Sequence, residues 1–247
     1  MDVEAGCSPK PSFWELLSYG DCGYGDELLA GAWLTVQIST CAYLVGIAFG
    51  FLGVSAKLSR SRVLRTIGDV YTTIVRAVPE LLLLFLIYYT GTSALKSLLV
   101  AFGFGEDIQV NAFAAAVSAL GFIQGAYVTE VFRGAILSVP KGQMEAARAF
   151  GMPALLRVRR ILLPLMIRYA LPGLANLWLV VTKDSSLISV LGGFYELLFT
   201  GKSAASNTKL YLDFFLVTAA GFLVITIISN IGIYGLERRV SRGVRRV

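Results

Sequence analysis

The hydropathy pattern divides the chain into long apolar runs separated by short basic segments. Residues 28–56 contain no charged side chain. A bilayer core takes about 20 helical residues, so this run predicts a tilted transmembrane helix. Similar runs at 67–95, 110–137, 165–181 and 212–236 predict four more spans. Gly46, Gly50 and Gly53 recur at four- and three-residue spacing in the first run, which suits either close approach of another helix or the general abundance of glycine in membrane helices. Pro79 interrupts the second run, either kinking the helix or ending a first segment. Residues 183–209 mix polar and apolar positions. Backbone that leaves the helix at membrane depth survives only when buried or lining a cavity, so the run Lys183-Asp184-Ser185-Ser186-Leu187-Ile188-Ser189-Val190-Leu191 is a candidate for lining a route.

Charge orients these spans. Lys57, Arg60, Arg62 and Arg65 follow the first run. A second block comprises Lys141, Arg148, Arg157, Arg159, Arg160 and Arg168, and a third Arg238, Arg239, Arg242, Arg245 and Arg246. By the positive-inside rule all three are cytoplasmic. The first 27 residues hold six acidic side chains (Asp2, Glu4, Glu15, Asp21, Asp26, Glu27) and one basic one, Lys10, so they are expected outside. Five spans with an external N-terminus and a cytoplasmic C-terminus satisfy every block. The expected division is an external extension at 1–26, a transmembrane domain at 27–240 and a basic tail at 241–247.

Composition sharpens this picture. The chain is 56% hydrophobic and only 15% charged, which predicts an all-α integral membrane protein. Its net charge of +6 is gathered in the three blocks, a topology signal rather than a nucleic-acid footprint. Cys7, Cys22 and Cys41 follow no metal spacing, and histidine is missing, so no metal site and no histidine proton shuttle are expected. The N-terminal segment lacks a basic region followed by an apolar core and does not read as a cleavable signal.

Between the third and fourth runs, 138–164 is polar, and its core reads EAARAFGMPALLRVRRILLP. Glu145, Ala146 and Ala147 favour helix. Gly151 suits a helix C-terminus, and Pro153 cannot extend a helix without strain. The pattern predicts a short surface helix, a turn, and then Ile161-Leu162-Leu163-Pro164 leading back to the membrane.

The spacing of Glu145, Ala146, Ala147, Gly151, Ile161, Leu163 and Pro164 resembles the EAA loop of the membrane subunits of type I ABC importers. The resemblance continues through Tyr71-Thr72-Thr73 to Arg76, Val78-Pro79-Glu80-Leu81, Gly125-Ala126-Tyr127, Glu130, Phe132-Arg133-Gly134-Ala135, Arg168-Tyr169-Ala170-Leu171-Pro172-Gly173 and Lys183-Asp184-Ser185-Ser186-Leu187-Ile188-Ser189. These segments look like the permeases for histidine, lysine, arginine, ornithine, octopine and nopaline, and most like their Q-type subunit. The resemblance implies the five-span type I importer (MetI-like) fold in a bacterial inner membrane. It also implies an M-type permease partner, an ABC ATPase dimer carrying ATP and magnesium, and a periplasmic binding protein that delivers substrate. Membrane lipid surrounds such a subunit, and nucleic acid is no partner. Glu145, Ala146, Ala147, Gly151, Arg157, Ile161 and Pro164 are the residues expected to couple to the ATPase. Glu145 is expected to favour the positive end of the coupling helix by its charge.

Candidate substrate-pathway residues are the polar groups within the runs: Arg76, Glu80, Gln124, Tyr127, Glu130, Asn176, Lys183, Asp184 and Ser185. Charges at membrane depth are costly and usually functional. Glu80, Glu130 and Asp184 suit a cationic substrate, and Arg76 or Lys183 a carboxylate. Internal pairing is the competing reading, Arg76 with Glu80 and Glu130 with Arg133. Trp178 suits either a cavity wall or helix packing. Catalytic residues are not expected. Gly201-Lys202-Ser203 ends like a phosphate loop, but Glu196 stands where the first glycine belongs. An ATP-driven importer of basic amino acids or opines is therefore expected. The alternatives are the same class of importer for glutamine or glutamate, and an ion-driven transporter, which would call for inverted repeats.

Overall fold

The structure is a computed structural model that describes residues 12–20, 23–103 and 110–240. Cys7, Cys22, half of the N-terminal extension (1–11 and 21–22) and the tail from 241 onward, with Arg242, Arg245 and Arg246, lie outside the described residues.

Among the described residues the regular secondary structure is helical. In chain order the helices are α1 (Phe13–Leu16), α2 (Gly25–Lys57), α3 (Arg62–Ala77), α4 (Glu80–Ala101), α5 (Ala112–Leu137), α6 (Lys141–Ala149), α7 (Ala154–Arg157), α8 (Leu163–Asp184), α9 (Leu197–Thr208) and α10 (Tyr211–Val240). A π-helical turn, Val158–Leu162, joins α7 to α8, and a 3-10 helix, Ser185–Leu191, follows α8. Five segments are long and apolar enough to cross a membrane: Gly25–Lys57, Glu80–Ala101, Ala112–Leu137, Ala154–Leu191 and Tyr211–Gly235.

Two boundaries differ from the sequence expectation. The run expected to cross at 67–95 is two helices, so of the two outcomes expected at Pro79 it ends a first segment rather than kinking one helix. Val78 is extended (φ −96°, ψ 142°), as residues before proline tend to be, and Pro79 opens α4. Only α4 is long and apolar enough to cross. The fourth crossing, expected from 165, is already helical from Ala154. Pro164 lacks the N–H that an α-turn would use, and the wider π turn lies directly before it.

The residues fall into two compact units, 1–39 with 182–229, and 40–181 with 230–247. In the first, Leu16, Leu28, Leu197, Ala204, Ala205 and Phe214 form one core cluster. The extension thus contributes Leu16 of α1, a turn closed by Ser12 and Glu15 as a capping box. In the second, Val54, Val128, Phe132, Ala135, Met166, Ala170 and Leu177 pack together. The second half of α2 lies directly against α5. A Cβ on Gly50 would stand 2.3 Å from Val128 Cγ1, and one on Gly53 2.2 Å from Thr129 Oγ1. No larger residue fits that seam, so these glycines serve close packing.

Candidate functional site

The polar connection after α5 is built to be rigid at one point. α6 runs to Ala149, and Phe150 caps it. Gly151 then takes φ +70°, a conformation that side chains disfavour. Its N–H donates to the Arg148 carbonyl at 2.9 Å, and the Met152 N–H reaches back to the Ala147 carbonyl at 3.1 Å. This pair of bonds is a Schellman closure. Arg157 donates from its guanidinium to the Met152 carbonyl and ties the turn to the next helix. Ala147 is buried, whereas Glu145 and Ala146 are exposed on the helix. Phe150 beside the turn is 88% exposed, and Leu155 is exposed as well. Ile161 sits in the π turn, and Pro164 is the second residue of α8.

Glu145 does not occupy the first turn of α6. That helix starts at Lys141, after Pro140, and has no acidic residue in its first turn. The charge–dipole role expected for Glu145 is therefore absent. The four residues before it are already helical, and the dipole effect fades beyond the first turn.

A charge cluster occupies the same unit. Glu130 on α5 pairs with Arg133 at 2.9 Å, the i,i+3 pair read from the sequence. It also pairs with Lys57 at the end of α2. Lys57 meets Asp69 at 3.2 Å and donates to the Thr72 hydroxyl at 2.7 Å. The Lys57 side chain is only 9% exposed. One ammonium thus ties α2, α3 and α5 together. Sequence reading assigned Lys57 to a cytoplasmic basic block and missed this role.

The other expected pair does not form. Arg76 and Glu80 stand on separate helices across the Pro79 break. Arg76 instead lies over the Tyr127 ring, 5.8 Å from its centroid. Tyr71 on α3 donates to the Phe122 carbonyl at 2.6 Å. Gln124 is fully buried. Asn176 lines an open groove of about 540 Å³ with Ala175, Leu179, Asn230, Ile231 and Tyr234. Trp178 packs edge-on to Tyr43, whose hydroxyl donates to the Leu174 carbonyl at 2.9 Å.

Lys183, Asp184 and Ser185 belong to the other unit, where α8 gives way to the 3-10 helix. Ser185 is buried, and its hydroxyl donates to the Thr182 carbonyl at 2.7 Å. The backbone does leave the α-helix here, at the segment flagged from its mixed polarity.

Beyond it lies the feature that sequence reading missed most completely. Glu196 is fully buried and caps α9, accepting from the N–H groups of Leu198 at 2.9 Å and Phe199 at 2.8 Å. Thr35 on α2 accepts from the Leu197 N–H at 3.1 Å, with its hydroxyl 3.5 Å from the carboxylate. Burial pushes the Glu196 carboxyl up to about 7, against the lowering effect of these hydrogen bonds. Gly201, Lys202 and Ser203 lie inside α9, and a Cβ on Gly201 would strike Thr218 Oγ1. A helix interior is not a phosphate-binding loop.

The family model for the binding-protein-dependent transport system inner membrane component matches residues 44–242. The nopaline transport system permease NocQ of Agrobacterium fabrum is 46% identical over 93% of this chain and 98% of its own length. The histidine/lysine/arginine/ornithine permease HisQ of Escherichia coli is 40% identical over 91% of this chain and 97% of its own. Among solved structures, an amino acid ABC transporter crystallised with histidines superposes with a TM-score of 0.73 at 30% identity, over 87% of this chain and 95% of that one. The MetNI methionine transporter shares the fold, with a TM-score of 0.70 at 18% identity, over 87% and 97% of the two chains. The chain belongs to the binding-protein-dependent transport system inner membrane components, and is a non-catalytic, multi-pass permease subunit of an ABC importer.

Proposed function

We propose that this permease imports basic amino acids or opines as the Q-type half of a heterodimeric pore. The observation that carries the substrate class is the near full-length similarity to permeases named for nopaline, octopine and the basic amino acids. An M-type subunit completes the pore. A pair of ATPase subunits, using ATP and magnesium, docks on the cytoplasmic side, and a periplasmic protein delivers substrate. The N-terminus faces the periplasm and the C-terminus the cytoplasm, in keeping with the basic blocks.

In this reading the α6–Gly151–α7 element is the coupling surface. Its small Ala146 and exposed Phe150 face the ATPase, while Gly151, Arg157, Ile161 and Pro164 hold the turn and its return. Closure of the ATPases displaces the element as a rigid body, and the spans alternate access. Arg76 with Tyr127, Glu80, Gln124, Glu130, Asn176 and the Lys183-Asp184-Ser185 segment are the pathway candidates. Glu130 already neutralises two cations, so its contribution to the pathway is electrostatic balance more than an open anionic site.

The test is ATPase activity of the reconstituted complex with its binding protein, over a panel of amino acids and opines. Stimulation by arginine, histidine, lysine or an opine is expected. Stimulation by glutamine or glutamate alone would overturn the substrate class while leaving the importer.

A further inference from the structure

Helix α3 has a face that the transport reading does not use. Gly68, Thr72 and Val75 turn inward and are buried. Val63, Ile67, Val70 and Ile74 recur at four-, three- and four-residue spacing, which places them on one stripe of the helix. They are between 49% and 68% exposed. Arg60, Arg62 and Arg65 are exposed at the N-terminal end of this helix. Among the described residues no carboxylate pairs with any of the three. The nearby acids, Asp69 and Glu130, are engaged by Lys57, and Glu130 also by Arg133. Arg65 donates to the Ser59 carbonyl at 3.1 Å, which leaves its positive charge uncompensated.

An apolar stripe on a helix too polar to cross, with uncompensated arginines at one end, is the charge and hydropathy pattern of an interfacial helix. We infer that α3 is a docking surface for anionic phospholipid, with acyl chains along Val63, Ile67, Val70 and Ile74 and the headgroup phosphate held by Arg60, Arg62 and Arg65. Long arginine side chains reach the headgroup level while their stems cover apolar surface. Lys57 takes no part, because its ammonium is buried in the ion cluster. The inference rests on the membrane location of the chain, not on its substrate.

The experiment uses the complete permease complex in nanodiscs of three parts phosphatidylcholine to one part phosphatidylglycerol. After extraction, native mass spectrometry counts the phosphatidylglycerol molecules that stay bound. The wild type is expected to retain phosphatidylglycerol over phosphatidylcholine and to release it as salt rises. Arg60→Gln, Arg62→Gln and Arg65→Gln each lower retention about fivefold, the effect of one basic residue near an anionic headgroup. Ile67→Ser with Ile74→Ser lowers retention of both lipids. Equal retention by the triple arginine variant would overturn the inference. Efficient disulfide cross-linking of Ile67→Cys to a cysteine on another subunit would also overturn it, showing the stripe covered by protein.

Discussion

Lys57 and Glu130 form an ion pair across 73 residues of sequence, joining the end of α2 to α5. Their side chains are 9% and 19% exposed. Removing one member of such a pair leaves a poorly solvated charge behind. Lys57→Met is therefore expected to destabilise the complex by about 3 kcal/mol. Lys57→Met with Glu130→Met should recover much of that loss. The check is thermal unfolding in detergent for the two single variants and the double. Additive losses in the double variant would show that the pair does not act as a unit.

Gly151 carries a purely backbone requirement. Its φ is +70°, yet a Cβ there would meet nothing within 4 Å. Gly151→Val is expected to cost about 1–2 kcal/mol at the end of α6, from backbone strain. Asparagine, which tolerates this conformation, should cost less. Under the proposed coupling role, the valine variant inserts normally but loses most of its co-purifying ATPase. Full ATPase yield from the valine variant would separate the turn from docking.

The seam between α2 and α5 gives the opposite case, where space decides. Gly50→Ala places a methyl 2.3 Å from Val128 Cγ1. Overpacking of this kind costs about 1–3 kcal/mol. Gly50→Ala with Val128→Ala should restore stability, measured by the same melts.

Glu196 makes stability depend on pH. Its carboxyl titrates near 7 in the folded chain, above the ordinary 4.5, because burial opposes its charge. The folded state therefore binds this proton more tightly than the unfolded state. The contribution is fully present below about pH 4.5 and is lost as pH rises through about 7. The total is at most about 3 kcal/mol, from 1.36 kcal/mol per unit. Melts of the wild type should shift downward from about pH 5 to about pH 8, and Glu196→Gln should flatten that part of the profile. An unchanged slope in the variant would assign the dependence to other groups.

The long apolar runs were readable because a bilayer demands length and hydrophobicity together, and α2, α4, α5 and α10 meet both. The turn at Gly151 was readable because few residues besides glycine adopt its φ. The ion cluster was not. Lys57 has the same local surroundings as Arg60 and Arg62, and only the packing of α5 distinguishes it. The position of Glu145 was misjudged because Gly142 weakens the helix signal ahead of it, whereas the helix starts at Lys141, directly after Pro140 and four residues earlier than expected. Helix α9 was hidden by its small and polar residues, SAASN, which read as loop. Its cap is a glutamate rather than the usual serine, threonine or aspartate, so no start signal stood before it.

The glycine seam also fixes how this part of the molecule moves. A joint with no side chain between backbone and neighbour has no slack. Sliding α2 along α5 by one residue would drive a larger side chain into the space that glycine leaves. The second half of α2 and the facing length of α5 must therefore travel as one stiff lever. Under the proposed alternation of access, bending would fall to places already interrupted: the break at Val78 and Pro79, the π turn before Pro164, and Pro172 within α8.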